Sequence, residues 1–340
     1  MEKVVSKAST GMILGKFMPV HRGHQHLIDF ARRRVDHLTV LVCSLESEPI
    51  PGHLRYEWVR ELYPDVNVVH CADENPSEPK DHSQFWEIWL ASIRRFIPVG
   101  PDYVFTSEYY GDELAARLGA RHLLVDLDRK TVPVSATMIR ERPFDNWQFI
   151  PECVRPYFAK RVAIVGPEST GKTTLAAELA RHFETICAPE FARDYLDRKY
   201  GESALELITP DDIEAIARGQ IATEDAMARK CNRLLVCDTE LITTTLWSEH
   251  FFGACSDWIR REARERNYDL YLLTDFDAPW VADSQRVSDF LRKDFFDKIR
   301  GALAGRRYEI ISGSYKERLQ KAVGAVGAIL DQNPTGERNE

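Results

Sequence analysis

The stretch "RVAIVGPESTGKTTLAAELARHF", residues 161–183, constrains the chain more than any other. An apolar run ends at Gly166, the loop fits G-x-x-x-x-G-K-[ST] through Thr173, and an amphipathic run follows. Such a loop works between the end of a strand and the start of a helix, so the pattern calls for a parallel α/β sheet around it. Gly166 and Gly171 let the backbone curl until successive N–H groups point at phosphate oxygens. Lys172 bridges the terminal phosphates and the Thr173 hydroxyl binds Mg2+; with Ser169, Thr170 and Thr174 these residues form a predicted ATP site.

The loop begins at residue 166 of 340, and a chain of that length suggests two domains. Ahead of it, "MILGKF" (12–17), "HLTVLVCSL" (37–45), "VNVVHC" (66–71), "DYVFTSE" (102–108) and "HLLVDLD" (122–128) read as strands separated by segments of helical spacing. The first such segment, "PVHRGHQHLIDFARRR", predicts a helix with a proline at its opening. A second alternation runs through "RVAIVG", "RLLVCDTE" (233–240), "LYLLTD" (270–275) and "YEIISG" (308–313). The expected fold class is therefore α/β, with two parallel-sheet domains covered on both faces. Residues 142–158, rich in proline and aromatics, break the rhythm and predict the junction. The expected domains are 1–150 and 151–330, with a polar tail at 331–340.

A net charge of -8 and a pI near 5.8 give no basic field for a nucleic-acid partner. The clusters "ARRR" and "IRRE" read as solvated helix faces. Seven cysteines without a C-x-x-C pair point to reduced, buried thiols. The N-terminus lacks a signal-peptide core, and no run reaches the ~18 apolar residues of a membrane span. A cytoplasmic protein without stable membrane association is expected.

Phosphoryl transfer also needs a carboxylate on the metal side. "LLVCD" delivers Asp238 at a strand end, beside the loop if the strands are neighbours; the plain alternative is a carboxylate capping the next helix. Glu190, in "ICAPEFARDY", follows an apolar segment and suits a sugar contact, a catalytic base or a helix N-terminal acid. "DFDAPWVADSQR" (275–286) reads as a lid that brings Arg286 to the transferring phosphate.

The first domain carries its own motif. In "GKFMPVHRGHQHL" the H-x-G-H pair His21 and His24 stands at the turn from strand to helix, where imidazoles can donate to a nucleotide phosphate and Gly23 clears its approach. Zinc would want further ligands beyond His21, His24 and His26, and the motif holds no cysteine or carboxylate. Further on, "VPVSATMIRER" places Ser135 and Thr137 at a helix start with Arg140 one turn later, so hydroxyls, backbone N–H groups and a guanidinium converge on a polyphosphate.

The pair "GKFMPVHRGH" and "VSATMIR" resembles the nucleotidyltransferase superfamily, and the junction, "GPESTGKT", "CDTE" and "PWVADSQR" narrow the resemblance to the NadR family. It covers the chain from Thr10 to about Ala328. The resemblance implies a Rossmann-like nucleotidyltransferase domain followed by a P-loop kinase domain. The second would phosphorylate ribosylnicotinamide with ATP. The first would adenylylate the resulting mononucleotide (NMN) to NAD and pyrophosphate, with Mg2+ as cofactor. It further implies that Gly15, Lys16, Phe17, Gly23, Ser135 and Thr137 hold ATP and that His21, His24 and Arg140 act on its phosphates. Trp86 or Trp89 would stack on nicotinamide or pack in the core, and Tyr195 and Trp280 would clamp nicotinamide in the kinase. Homo-oligomers are common in that family. Some members carry an N-terminal helix-turn-helix; only about ten residues precede the first strand here, so transcriptional regulation is not expected. The rival readings are a fused pantetheine-phosphate adenylyltransferase and dephospho-coenzyme A kinase, and a nucleotide sensor with one inactive site.

Overall fold

A computed structural model describes residues 8–278 and 291–332. The chain divides into two compact units, one ending at Val154 and the other running Arg155–Gln332. The first holds β1 (Thr10–Gly15), β2 (His37–Cys43), β3 (Asn67–Cys71), β4 (Tyr103–Thr106) and β5 (Arg121–Leu124), in the order β3-β2-β1-β4-β5, every pair parallel. Val40, Leu41 and Val42 are consecutive and fully buried, as a strand covered by helices on both faces requires. The Asp102 carboxylate accepts both the backbone N–H and the hydroxyl of Thr10, at 2.8 Å each, and so ties the start of β1 to β4. Strand order reverses between these two, which opens a crevice at their carboxyl ends.

The helix after β1 is Arg22–Arg32, shorter than its apolar spacing predicts. Pro19 and Val20 lie outside it because His21 takes an extended conformation and caps it, its Nδ1 accepting the Gly23 N–H at 3.1 Å. An imidazole is an unusual cap, which explains why the sequence alone put the start too early.

The second unit holds β6 (Lys160–Val165), β7 (Ile186–Ala188), β8 (Leu234–Asp238), β9 (Leu270–Thr274) and β10 (Tyr308–Ile311), in the order β10-β9-β6-β8-β7, again all parallel. The sequence reading did not count β7 as a strand; its three residues are too few to show a period. Helices Lys172–His182 and Tyr315–Leu330 fill one face of the sheet, and Leu241–Phe252, Asp257–Glu265 and Leu291–Ala302 fill the other. Ile164 of β6 pairs with Asp238 of β8, which sets that carboxylate beside the loop leaving β6. No helix among the described residues is long and apolar enough to cross a membrane.

Candidate active sites

The first unit encloses a cavity of about 670 Å³ at the carboxyl ends of β1 and β4. Gly15, Lys16, Phe17, His21, Gly23 and His24 line it from the turn after β1, and Ser135, Thr137 and Arg140 from around the helix Ala136–Glu141. The rings of His21 and His24 stack with centroids 3.9 Å apart. Burial pushes His21 far below the usual imidazole range, with His24 and Arg129 adding to the effect. Burial and then Arg129 bring His24 down to about 4. Both rings are neutral near pH 7. Because His21 Nδ1 accepts a backbone N–H, its Nε2 carries the proton and is left as a donor. His24 Nδ1 is buried without a hydrogen-bond partner among the described residues.

A Cβ on Gly23 would come within 2.9 Å of His21 Cε1, so the glycine also leaves room for the imidazole pair. Ser135 spends its hydroxyl as a helix cap, accepting the Met138 N–H at 3.1 Å. Arg140 donates to the Met18 carbonyl at 2.5 Å and to the Thr137 hydroxyl at 3.1 Å, bracing the turn after β1 from the far end of the unit. Lys16 Nζ lies 2.8 Å from Glu48. Trp86 and Trp89, on the helix Phe85–Phe96, line the cavity and also pack on the core of the unit. Trp89 donates to the Pro76 carbonyl at 2.9 Å, and Arg117 covers Trp86 at 5.2 Å, so both rings are held in place.

The second unit has a cavity of about 210 Å³ over the loop from Gly166 to Thr174. Gly166 and Gly171 take φ of 148° and 83°, and Ser169 a φ of 57°. These positive values turn the loop inward. Lys172 Nζ donates to the Pro167 carbonyl at 2.8 Å, inside its own loop. Thr170 lines the cavity, while its hydroxyl is buried between the Pro167 carbonyl (2.8 Å) and the Thr274 hydroxyl (2.7 Å) and shapes the loop.

Asp238 is 1% exposed, and burial pushes its carboxyl above the usual range, with a hydrogen bond from Thr173 and the charge of Lys172 opposing. Its Oδ1 has no hydrogen-bond partner among the described residues. A buried carboxylate oxygen left bare beside a threonine hydroxyl at a phosphate loop is a donor set suited to a hard divalent cation. Glu190 precedes the helix Phe191–Tyr200 without capping it, and lines the cavity with Arg193.

Tyr195 does not fit its predicted place as a nicotinamide clamp. Its hydroxyl donates to the buried Asp212 at 2.7 Å, beside Lys199 and Tyr200, and it is absent from the residues around the cavity. The aromatic wall is instead Trp247, Phe251 and Phe295, with Trp247 stacked on Phe251 at 5.4 Å and 4.3 Å from Phe295. Trp280 and Arg286 lie outside the described residues.

A cytidylyltransferase-like family model matches residues 12–142, and an AAA domain model matches residues 161–318. The trifunctional NAD biosynthesis/regulator protein NadR of Escherichia coli (strain K12) is 30% identical over 349 residues, covering 96% of this chain and 84% of the relative. The chain belongs to the NadR family. The protein of the same name from Salmonella typhimurium is 31% identical over 95% of the chain. Two solved structures, of a NadR protein in complex with NR and of one in complex with NAD and AMP-PNP, match 98% of the chain at a TM-score of 0.76. Their identities are 22% and 23%, so that likeness is one of fold.

Several residues of these NadR-family sites escaped the sequence reading. Buried Arg55 donates to the Lys16 carbonyl at 2.9 Å and to Glu48 at 2.7 Å, fixing the carboxylate that holds Lys16. Arg318 donates to the carbonyls of Thr170 (2.8 Å), Gly313 (2.9 Å) and Asp275 (3.0 Å) and pairs with Asp277, locking the phosphate loop from the last helix. Neither has a local signal, since the contacts to the Lys16, Thr170 and Asp275 carbonyls span 39, 148 and 43 residues. Trp247 and Phe251 did have one: aromatics at i, i+4 in "LITTTLWSEHFF" share a helix face.

Proposed function

We infer that this chain makes NAD in two ATP-dependent steps, ribosylnicotinamide to NMN in the second unit and NMN to NAD in the first. The observation that carries this reading is the pairing, in one NadR-family chain, of two separate cavities. One holds neutral stacked imidazoles and the other a phosphate loop beside a buried carboxylate, one oxygen of which has no hydrogen-bond partner among the described residues.

In the kinase step the 5′-hydroxyl oxygen of the riboside attacks the γ-phosphorus of ATP, and ADP leaves. Lys172 would exchange its Pro167 carbonyl for a phosphate oxygen, and the inward N–H groups of the loop would take the others. Thr173 and Asp238 would hold the divalent ion, Mg2+ in this reading, which when bound neutralises charge between the β- and γ-phosphates. Glu190, which lines the cavity, would receive the hydroxyl proton or contact the sugar. The wall of Trp247, Phe251 and Phe295 offers π faces to the cationic nicotinamide ring.

In the adenylyl step a phosphate oxygen of NMN attacks the α-phosphorus of the second ATP, the α–β bridge breaks, and pyrophosphate leaves. The nucleophile is already ionised, so positioning and charge stabilisation replace a base. That matches histidines held neutral: they donate hydrogen bonds without competing for protons. Lys16 and Arg140 supply positive charge, and Trp86 and Trp89 supply faces for nicotinamide.

The test is product analysis by chromatography, with Mg-ATP and either ribosylnicotinamide or NMN as acceptor. The riboside should give NMN and then NAD, and NMN should give NAD and pyrophosphate directly. If both acceptors are untouched while phosphopantetheine consumes ATP, the substrate assignment is wrong.

A further inference from the structure

Cys43 is the last residue of β2 and Cys71 the last of β3, and the two are direct partners in the parallel ladder. Neighbouring strands run about 4.8 Å apart, inside the Cα separation that a disulfide spans. As paired residues their side chains leave the sheet on the same face, and both are buried in one core cluster. Cys43 lines the cavity of the first unit and Cys71 lies directly behind it in the ladder, so a small oxidant admitted to that cavity has to pass Cys43 to reach Cys71.

We propose that Cys43 and Cys71 form a reversible disulfide site, closed by hydroperoxides, whose closure deforms the adenylyl-transfer cavity. The effect on activity rests on the function proposed above; the disulfide itself does not.

Both strand ends launch loops that build the cavity. Past β2, Ser44 donates its N–H to the Cys71 carbonyl at 3.0 Å, and Glu48 then pairs with Lys16. Arg55 reaches the Cys43 carbonyl at 3.4 Å with the same nitrogen that donates to the Lys16 carbonyl. Past β3, Asp73 is held by Ser92 (2.6 Å) and by Arg95, Trp89 donates to Pro76, and Ser77 lines the cavity. Drawing the two sulfurs to a bond of about 2 Å shifts the point where both loops begin.

The chemistry suits the pair. The neighbouring Cys43 thiol brings the Cys71 thiol down to about 7, with the Asp73 backbone and Arg95 contributing, while Cys43 is pushed well above the ordinary thiol range, so Cys71 is the partly ionised member at neutral pH. The Cys71 thiolate attacks one oxygen of the hydroperoxide and breaks the O–O bond, giving a sulfenic acid and, with hydrogen peroxide, hydroxide, which takes a proton from solvent to become water. The neighbouring thiol then displaces the sulfenic hydroxyl, which leaves with that thiol's proton as a second water. Each sulfur loses one electron and the peroxide gains both. Thiol exchange reverses the bond.

The experiment treats the full chain with hydrogen peroxide, maps linked peptides by mass, and assays the two steps separately before and after dithiothreitol. The expected result is a linked Cys43–Cys71 peptide and a loss of NAD formation from NMN of about a hundredfold. Dithiothreitol should restore that activity, phosphorylation of ribosylnicotinamide should not change, and the adenylyl step of Cys71→Ala should resist peroxide. Absence of the linked peptide overturns the proposal, as does a linked peptide with full adenylyl activity or a Cys71→Ala variant as sensitive as wild type. Peptide mapping on wild type decides the disulfide even if the variant does not fold. Reduced wild type that makes no NAD from NMN contradicts the reading of the site, and the mapping still stands.

Discussion

The Thr274 hydroxyl lies 2.7 Å from that of Thr170, and a Cβ placed on Gly166 would come within 2.2 Å of the same Thr274 oxygen. The phosphate loop is therefore pinned to the end of β9 at a point where only glycine fits. Gly166→Ala, facing that clash and a φ of 148°, should lower riboside phosphorylation by about a hundredfold and leave NAD formation from NMN intact. Separate assays of the two steps check this.

Arg318 holds three carbonyls from three segments with one planar group. Arg318→Lys cannot reproduce that fork, so it should behave like Arg318→Ala. Both should raise the KM for ATP in the kinase step by about tenfold and cost about 2 kcal/mol of stability in the second unit. Initial-rate kinetics and urea unfolding give the two readouts.

Tyr195 and Trp247 separate an expected clamp from an observed wall. Tyr195→Phe removes a hydrogen bond to buried Asp212 and should cost about 2 kcal/mol of stability, with the riboside KM unchanged. Trp247→Ala should raise that KM by about tenfold, because it removes a ring lining the cavity. Titration of riboside against each variant distinguishes them.

His24 gives a signed pH prediction. Its folded pKa, about 4, is below its ordinary value of 6.5, so between these values the unfolded chain binds more protons than the folded one. Stability from keeping this ring neutral is fully present above pH 6.5 and is lost as pH falls towards 4. Thermal unfolding should show wild type losing stability over that window, with His24→Gln losing less. A wild type that gains stability on acidification there contradicts the neutral assignment.

What was legible in the sequence was what the backbone itself must do. The loop at 166–173 and the H-x-G-H turn announce themselves because particular glycine and histidine spacings are needed to curl or cap a chain. Both sheets followed from alternating apolar runs, except β7, too short to carry a period. The start of the helix Arg22–Arg32 was misplaced because an imidazole does the work of a serine. Arg55 and Arg318 were hidden because their carbonyl partners come together only after folding. Tyr195 misled because an aromatic near a nucleotide motif says nothing about where its hydroxyl is bonded.

The central claim is that two separate sites act in sequence. The most direct measurement incubates wild type, Lys172→Ala and His24→Ala with Mg-ATP and ribosylnicotinamide, then follows NMN and NAD over time. Wild type should accumulate NAD, Lys172→Ala should make neither product yet convert added NMN to NAD, and His24→Ala should stop at NMN. NAD formation from the riboside by Lys172→Ala, or loss of both steps in each variant despite intact folding, would contradict it.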